Sequence, residues 1–246
     1  EPRVLAALVA KGALGQKSGA GFYRKVGRDI EVLDAATGAY RASKPEAAPD
    51  VLAITGAKDP RSMLAALRAS AHPQAQFLWA LFRDVFHYAA YHLAAIADTA
   101  RDVDLALRWG FGWTLGPFET WQAAGFAEVA RAIRDDIAAG RTLAAAPLPD
   151  WIDAPPVVAA RGVHTAQGSW SPQRAAFVGR STLPVYRRQR FPPTVIGERI
   201  DAGTTMFETD ALRMWHVGDD IGIVSFRTKQ NTVSGELLDG MARALY

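Results

Sequence analysis

The chain has 246 residues, 49% of them hydrophobic and 22% charged, with a mean hydropathy near zero, a formal charge of +3 and no cysteine. A chain of this size buries roughly 70–75% of its unfolded surface, so ordinary globular packing is expected rather than disorder or a fibrous repeat. The missing cysteines exclude disulfides, thiolate metal ligands and a cysteine nucleophile. The small net charge leaves no footprint for nucleic acid, no apolar run reaches the roughly 18 residues of a membrane span, and a cytoplasmic protein is the default expectation.

In chain order, Val4, Leu5, Leu8 and Val9 recur at helical spacing, and Gly12 stops that helix. Glu1 already lies inside this run, and Tyr246 directly follows another amphipathic one, so both ends are expected to be cuts within a longer protein. Gly15, Gly19 and Gly21 ask for positive φ or a close backbone approach. Short strands are predicted from Phe22 to Val26, Asp29 to Leu33 and Ala39 to Arg41, turning at Gly27-Arg28 and Thr37-Gly38, as a small β meander. Residues 43–73, with Pro45 and Pro49, read as a connector carrying one helix, for which Asp59-Pro60 supplies the N-cap and first residue and which runs to about Ser70.

The strongest helix signal lies between Gln74 and Ala100, where Phe77, Leu78, Leu81, Phe82, Val85, Phe86, Ala89, Leu93 and Ile96 recur with a core-helix period. Asp102 is expected to cap a shorter helix through Trp109. Gly110 to Phe118 form a glycine-rich turn into a helix carrying Trp121, and an amphipathic helix from Phe126 to about Ala139 stops at Gly140. Residues 147–210 hold prolines at 147, 149, 155, 156, 172, 184, 192 and 193 and the basic Arg180, Arg187, Arg188 and Arg190. They read as an inter-domain linker with a few short strands. A hairpin of Leu212 to Val217 and Ile221 to Phe226 about Gly218-Asp219-Asp220 follows, then a helix from near Ser234 bearing Leu237, Leu238, Met241 and Leu245, the way many α/β domains begin.

Residue types that could carry chemistry each meet a plainer explanation. The loop from Gly15 to Gly21 lacks the terminal Gly-Lys-Ser/Thr of a phosphate loop and leads into a strand, so it reads as a tight turn. Asp102, Asp104 and Glu119 could bind a metal, but helix capping explains them better. His87 and His92 are five residues apart, a spacing that does not bring two imidazoles to one metal, and read as core or half-exposed histidines. Asp153, His164 and Ser169 supply the types of a hydrolase triad, but Ser169 sits in no Gly-x-Ser-x-Gly elbow and the coincidence reads as chance. Trp109, Trp113 and Trp121 read as packing residues, and the arginines from 180 to 190 as a solvated linker face rather than a site for an anion such as a CoA phosphate.

Three segments point further. Gly15-x-Lys17-Ser18-Gly19-x-Gly21-Phe22-Tyr23 resembles the signature that closes the first C-terminal helical repeat of 3-hydroxyacyl-CoA dehydrogenases. Asp102-Val103-Asp104 with Gly110-Phe111-Gly112-Trp113-x-Leu115-Gly116-Pro117-Phe118-Glu119 resembles that of the second repeat, about ninety residues on. Residues 212–245, with Ser225 to Val233 between hairpin and helix, are similar to the start of an enoyl-CoA hydratase or crotonase domain, in the order found in bacterial bifunctional β-oxidation proteins. The family usually has Asp where this chain has Gln122, a departure that argues against a polar role there.

The resemblance implies a mainly α fold. Residues 1–42 would be the end of the first repeat and the meander, 43–73 a connector, 74–146 the second repeat, 147–210 a linker and 211–246 the truncated start of the crotonase-like domain. It implies an oxidoreductase of lipid metabolism whose intact parent uses NAD and an acyl-CoA substrate. The Rossmann loop and the His-Glu pair would precede Glu1, and the hydratase machinery would follow Tyr246. No catalytic, cofactor-binding or metal residue is therefore expected in this chain, only Lys229 as a contact to CoA, where a lysine acts as a mobile point charge for phosphate. NAD is not expected to bind here, the isolated chain is expected to be inactive, and a homo-oligomer is left open. The rival reading is a non-catalytic interaction or dimerisation module without acyl-CoA affinity, prompted by the aromatic content of the long helix.

Overall fold

The structure, a computed structural model, describes residues 2–43, 46–189, 191–198, 203–218 and 220–245. Glu1, Pro45, Arg190, Asp219 and Tyr246, on which some of the expectations above fall, lie outside the described residues. The fold is mainly α, with small antiparallel sheets. The chain divides into two units, one of Glu1–Lys58 and Met63–Trp79, the other of Asp59–Ser62 and Ala80–Tyr246.

In the first unit, α1 (Arg3–Ala10) ends at Gly12, whose positive φ turns the chain so that the Ala13 amide donates back to the Leu8 carbonyl. The meander forms as β1 (Tyr23–Val26), β2 (Asp29–Leu33) and β3 (Tyr40–Ala42), paired in sequence order. The connector holds α2 (Pro49–Thr55), which the prolines and scattered alanines concealed, as well as α3 (Pro60–Ala69). Pro49 stands at the first helical position, where its missing N–H costs nothing. Asp59 caps α3 through the Ser62 amide and hydroxyl, which hold its carboxyl below the ordinary value. Gln74 pins the connector by accepting the Ala48 amide and donating to the Glu46 carbonyl.

The long helix is α4 (Pro73–Ile96). Only part of its predicted stripe is core: Phe86, Ala89 and Leu93 are buried, while Phe77, Leu81 and Ile96 are exposed. In the second unit, α5 (Ala100–Phe111), α6 (Pro117–Ala123) and α7 (Phe126–Ala138) follow. The N-cap of α5 is Thr99, not Asp102; the Asp102 carboxylate folds back onto the Thr99 amide from the third helical position. The core of this unit is an aromatic stack centred on the fully buried Trp121. Its ring lies 4.6 Å from Phe126, 5.6 Å from Phe86 and 6.4 Å from Phe118, and its Nε1–H donates to the Phe126 carbonyl.

The proline-rich stretch is more ordered than its pattern suggested. Pro149 and Pro155 sit where helical turns begin, ahead of a 3-10 turn at Asp150–Asp153 and at the start of α8 (Pro155–Ala160). A second sheet follows, β4 (His164–Thr165), β5 (Gly168–Ser171) and β6 (Ala176–Val178), with Val163 and Trp170 buried. After the short α9 (Pro184–Arg187) comes a third sheet, β7 (Thr204–Glu208), β8 (Leu212–His216) and β9 (Ile223–Phe226). The expected hairpin is β8–β9, and β7, from the stretch read as a linker with a few short strands, pairs with β8 to make it a three-stranded sheet. The closing helix α10 (Gly235–Leu245) packs Leu237 and Gly240 toward Leu212. Among the described residues no helix is long and apolar enough to cross a membrane.

Trp121 fills the centre of the stack, so Trp121→Ala leaves a large cavity and removes the indole's hydrogen bond to the Phe126 carbonyl. The expected cost is about 3–5 kcal/mol, read as a lower urea midpoint in equilibrium unfolding.

Candidate functional site

The first signature, residues 15–23, is a self-contained turn. Gly15 and Gly19 take positive φ, and a Cβ on Gly21 would lie 2.9 Å from the Gly15 Cα. Ser18 Oγ accepts the Leu14 amide at 2.8 Å and is aimed at the carbonyls of Gly15 and Ala20. The hydroxyl is consumed inside the loop, and the backbone passes into β1, so the residues do not form a cradle for a dinucleotide phosphate.

The second signature builds a buried polar joint. Gly116, at the N-cap of α6, has no side chain to satisfy the helix's first amides. Asp104, fully buried on α5, does so instead: its Oδ1 accepts the Phe118 amide at 2.8 Å and its Oδ2 the Glu119 amide at 3.2 Å. Glu119 reaches back to the Gly116 amide at 2.9 Å. A Cβ on Gly116 would fall 2.3 Å from Asp104 Oδ1 and 2.4 Å from its Cα, so only glycine lets the two helices approach this closely. The Asp-x₁₁-Gly-Pro-Phe-Glu spacing is thus a capping device shared between two helices.

His164 joins from β4. Its Nε2 lies 2.6 Å from Asp104 Oδ2 and its Nδ1 2.8 Å from Ser169 Oγ. Because Asp104 accepts from every side, the proton belongs on Nε2, and the Ser169 hydroxyl donates to Nδ1. His164 and Ser169 therefore do meet an aspartate, but it is Asp104 and not Asp153, which is exposed and pairs with Arg134 at 2.6 Å. The trio has the order of a hydrolase triad, yet Ser169 and Asp104 are 0% exposed and His164 2%, so no substrate reaches the hydroxyl. Burial raises the Asp104 carboxyl above its ordinary value, opposed by the hydrogen bond from His164 and the Phe118 amide.

Gln122 has the polar role that its departure from the family pattern argued against. Its Oε1 accepts the amides of Val163 and His164 at 2.8 and 2.9 Å, and its Nε2 donates to the His164 carbonyl at 3.0 Å. A carboxylate could not supply that donor. Beside it, the segment 193–198 is tied down by charge. Glu119 Oε1 accepts the Ile196 amide at 3.0 Å, Arg108 donates to the Thr194 carbonyl at 2.7 Å, and Glu198 meets both Arg101 and Arg180. Arg180, expected on a solvated face, is half-buried and engaged, whereas Arg187 and Arg188 are exposed.

The remaining candidates stay apart. His87 is buried with an unpartnered Nε2, and His92 lies between Tyr88 and Tyr91. Among the described residues no cluster could hold a metal. Trp121 is core as expected, but Trp109 and Trp113 are exposed. Lys229 opens a short exposed turn after β9 in which Gln230 and Asn231 have positive φ. An open cavity of about 620 Å³ lies along α4 and α5, lined in part by Ile96, Asp98, Asp102, Leu107 and Gln173. Pairing across sequence distance was the signal missing for the joint: Asp104 and His164 stand 60 residues apart.

Compared with known proteins, the chain is 34% identical over 151 residues to a probable 3-hydroxyacyl-CoA dehydrogenase of Bacillus subtilis (strain 168). The match takes in 61% of this chain but only 18% of the length of that relative. No family profile and no solved structure matches the chain.

The raised Asp104 value has a definite sign. The folded state holds that proton more tightly than the unfolded chain, so the group's contribution to stability is full below the ordinary carboxylate range and falls as pH rises through the elevated value. The difference in unfolding free energy between wild type and Asp104→Asn, measured by urea titration from about pH 4 to 8, should therefore move against wild type as pH rises.

Proposed function

We infer that this chain is the substrate-covering helical portion of an NAD-dependent 3-hydroxyacyl-CoA dehydrogenase, joined to the start of a crotonase-like enoyl-CoA hydratase. The observation that carries the reading is the interlock of Asp104 with Gly116, Phe118 and Glu119, which gives the second signature a physical reason for its residue types. The similarity to the Bacillus subtilis protein supports the dehydrogenase part. The hydratase part rests on the order of β8, β9 and α10, and on Lys229, proposed to meet a CoA phosphate from its exposed turn.

In the parent, hydride passes from the substrate's C3 to nicotinamide while a base removes the hydroxyl proton. This chain provides neither group. Among the described residues the one imidazole hydrogen-bonded to a carboxylate, His164, is sealed inside the joint, and the loop 15–21 does not fit the cofactor's phosphates. Its part is to wall the acyl-CoA cleft and exclude water, a role for rigid helices held in fixed register. The segment boundaries given by the resemblance, at 42, 73, 146 and 210, belong to this proposal, as do a cytoplasmic location and assembly into a homo-oligomer.

A second reading, a non-catalytic interaction module, is favoured by one observation: Leu81, Tyr88, Tyr91 and Ile96 leave an exposed apolar stripe on α4. Titration with acetoacetyl-CoA separates the two. Saturable binding supports the covering role, and no binding by a dimeric chain supports the interaction module. In a direct assay with acetoacetyl-CoA, the isolated chain should consume no NADH; measurable turnover would overturn the assignment of catalysis to other parts of the parent.

A further inference from the structure

The segment from Pro193 to Glu198 has little apolar hold on the protein. Val195 is its one buried apolar side chain, and Thr194 and Gly197 face solvent. What fixes it is a set of charged anchors on three different elements. From α5, Arg108 donates to the Thr194 carbonyl and Arg101 pairs with Glu198. From α6, Glu119 accepts the Ile196 amide. From beyond β6, Arg180 donates to the Pro193 carbonyl and meets Glu198 Oε2 at 2.5 Å, the same carboxylate that receives the Val195 amide at 3.3 Å. Underneath, the backbone at Gly197 comes so close to the His164 carbonyl that a Cβ there would lie 3.0 Å from its oxygen.

Glu198 is the centre of this arrangement and carries an unequal load, since one carboxylate faces two guanidiniums. Burial depresses both arginines, and in Arg101 the charge of Arg180 adds to the effect. A buried cation stripped of its partner is strongly unfavourable, so loss of the Glu198 charge removes what holds the strap against Arg101 and Arg180. Segments held by few apolar contacts open locally at low cost, without unfolding the body beneath.

We propose that residues 193–198 form an ionic latch, closed by Glu198 between Arg101 and Arg180, that opens as a unit while α5, α6 and α7 remain folded. Glu119 and His164, which meet the strap from the body, stay in place because their other partners lie within it.

Hydrogen exchange read by mass spectrometry on the full chain tests the latch, with Glu198→Gln and the milder rim variant Arg180→Gln. Each should exchange at least about tenfold faster over 193–198, with α5 to α7 unchanged. The proposal is overturned by unchanged exchange of the strap in both variants, or by acceleration of α5 to α7 in step with it. Should Glu198→Gln fail to fold, Arg180→Gln alone decides between the same outcomes.

Discussion

The carboxylate of Asp104 accepts two backbone amides from the first turn of α6 and the imidazole of His164 from β4, all within a space closed to solvent. Two helices and a strand that are distant in sequence meet on that one side chain. A buried carboxylate is tolerated only when its lone pairs are used, and here the α6 amides and the imidazole use them. The cost of burying the charge is what makes the joint specific: few other arrangements of these elements would offer the same donors. Gly116 and Pro117 follow from this, since the first turn of α6 must come within van der Waals contact of α5 and needs no cap of its own.

Around the joint, each polar residue serves two elements at once. Glu119 closes the α6 N-terminus and receives the Ile196 amide; Gln122 receives two amides and donates to the carbonyl of the same strand; Ser169 completes His164. The aromatic stack on Trp121 supplies the apolar mass beneath. Polar satisfaction and apolar packing therefore specify the same register of α5, α6 and the second sheet, the consistency between levels expected of a uniquely folded body. Ser, His and Asp in triad order are here an instrument of rigidity rather than of catalysis.

Much of this was legible in the sequence and some was not, for physical reasons. The meander, α1, α4 and α7 show clear periods, and Gly15, Gly19 and Gly21 announced a strained loop. The capping role of Asp104 was expected in kind, although it caps a neighbouring helix rather than its own. The order between 150 and 178 was hidden because Ile152, Val157, Val163 and Trp170 enter the core at no fixed spacing, with prolines marking the starts of turns instead of loops. The meeting of His164 with Asp104 had no local signal at all, and Gln122 misled because its usefulness lies in donating and accepting together. On α4, an apolar period wider than the core face concealed which side is buried.

The most direct test of the account is a double-mutant cycle between Asp104 and His164, using Asp104→Asn and His164→Gln with stability read by urea unfolding. A coupling of about 1–3 kcal/mol is the predicted result, because the pair links α5 to β4 and either variant breaks that link. A coupling indistinguishable from zero would contradict the claim that this contact holds the fold in register.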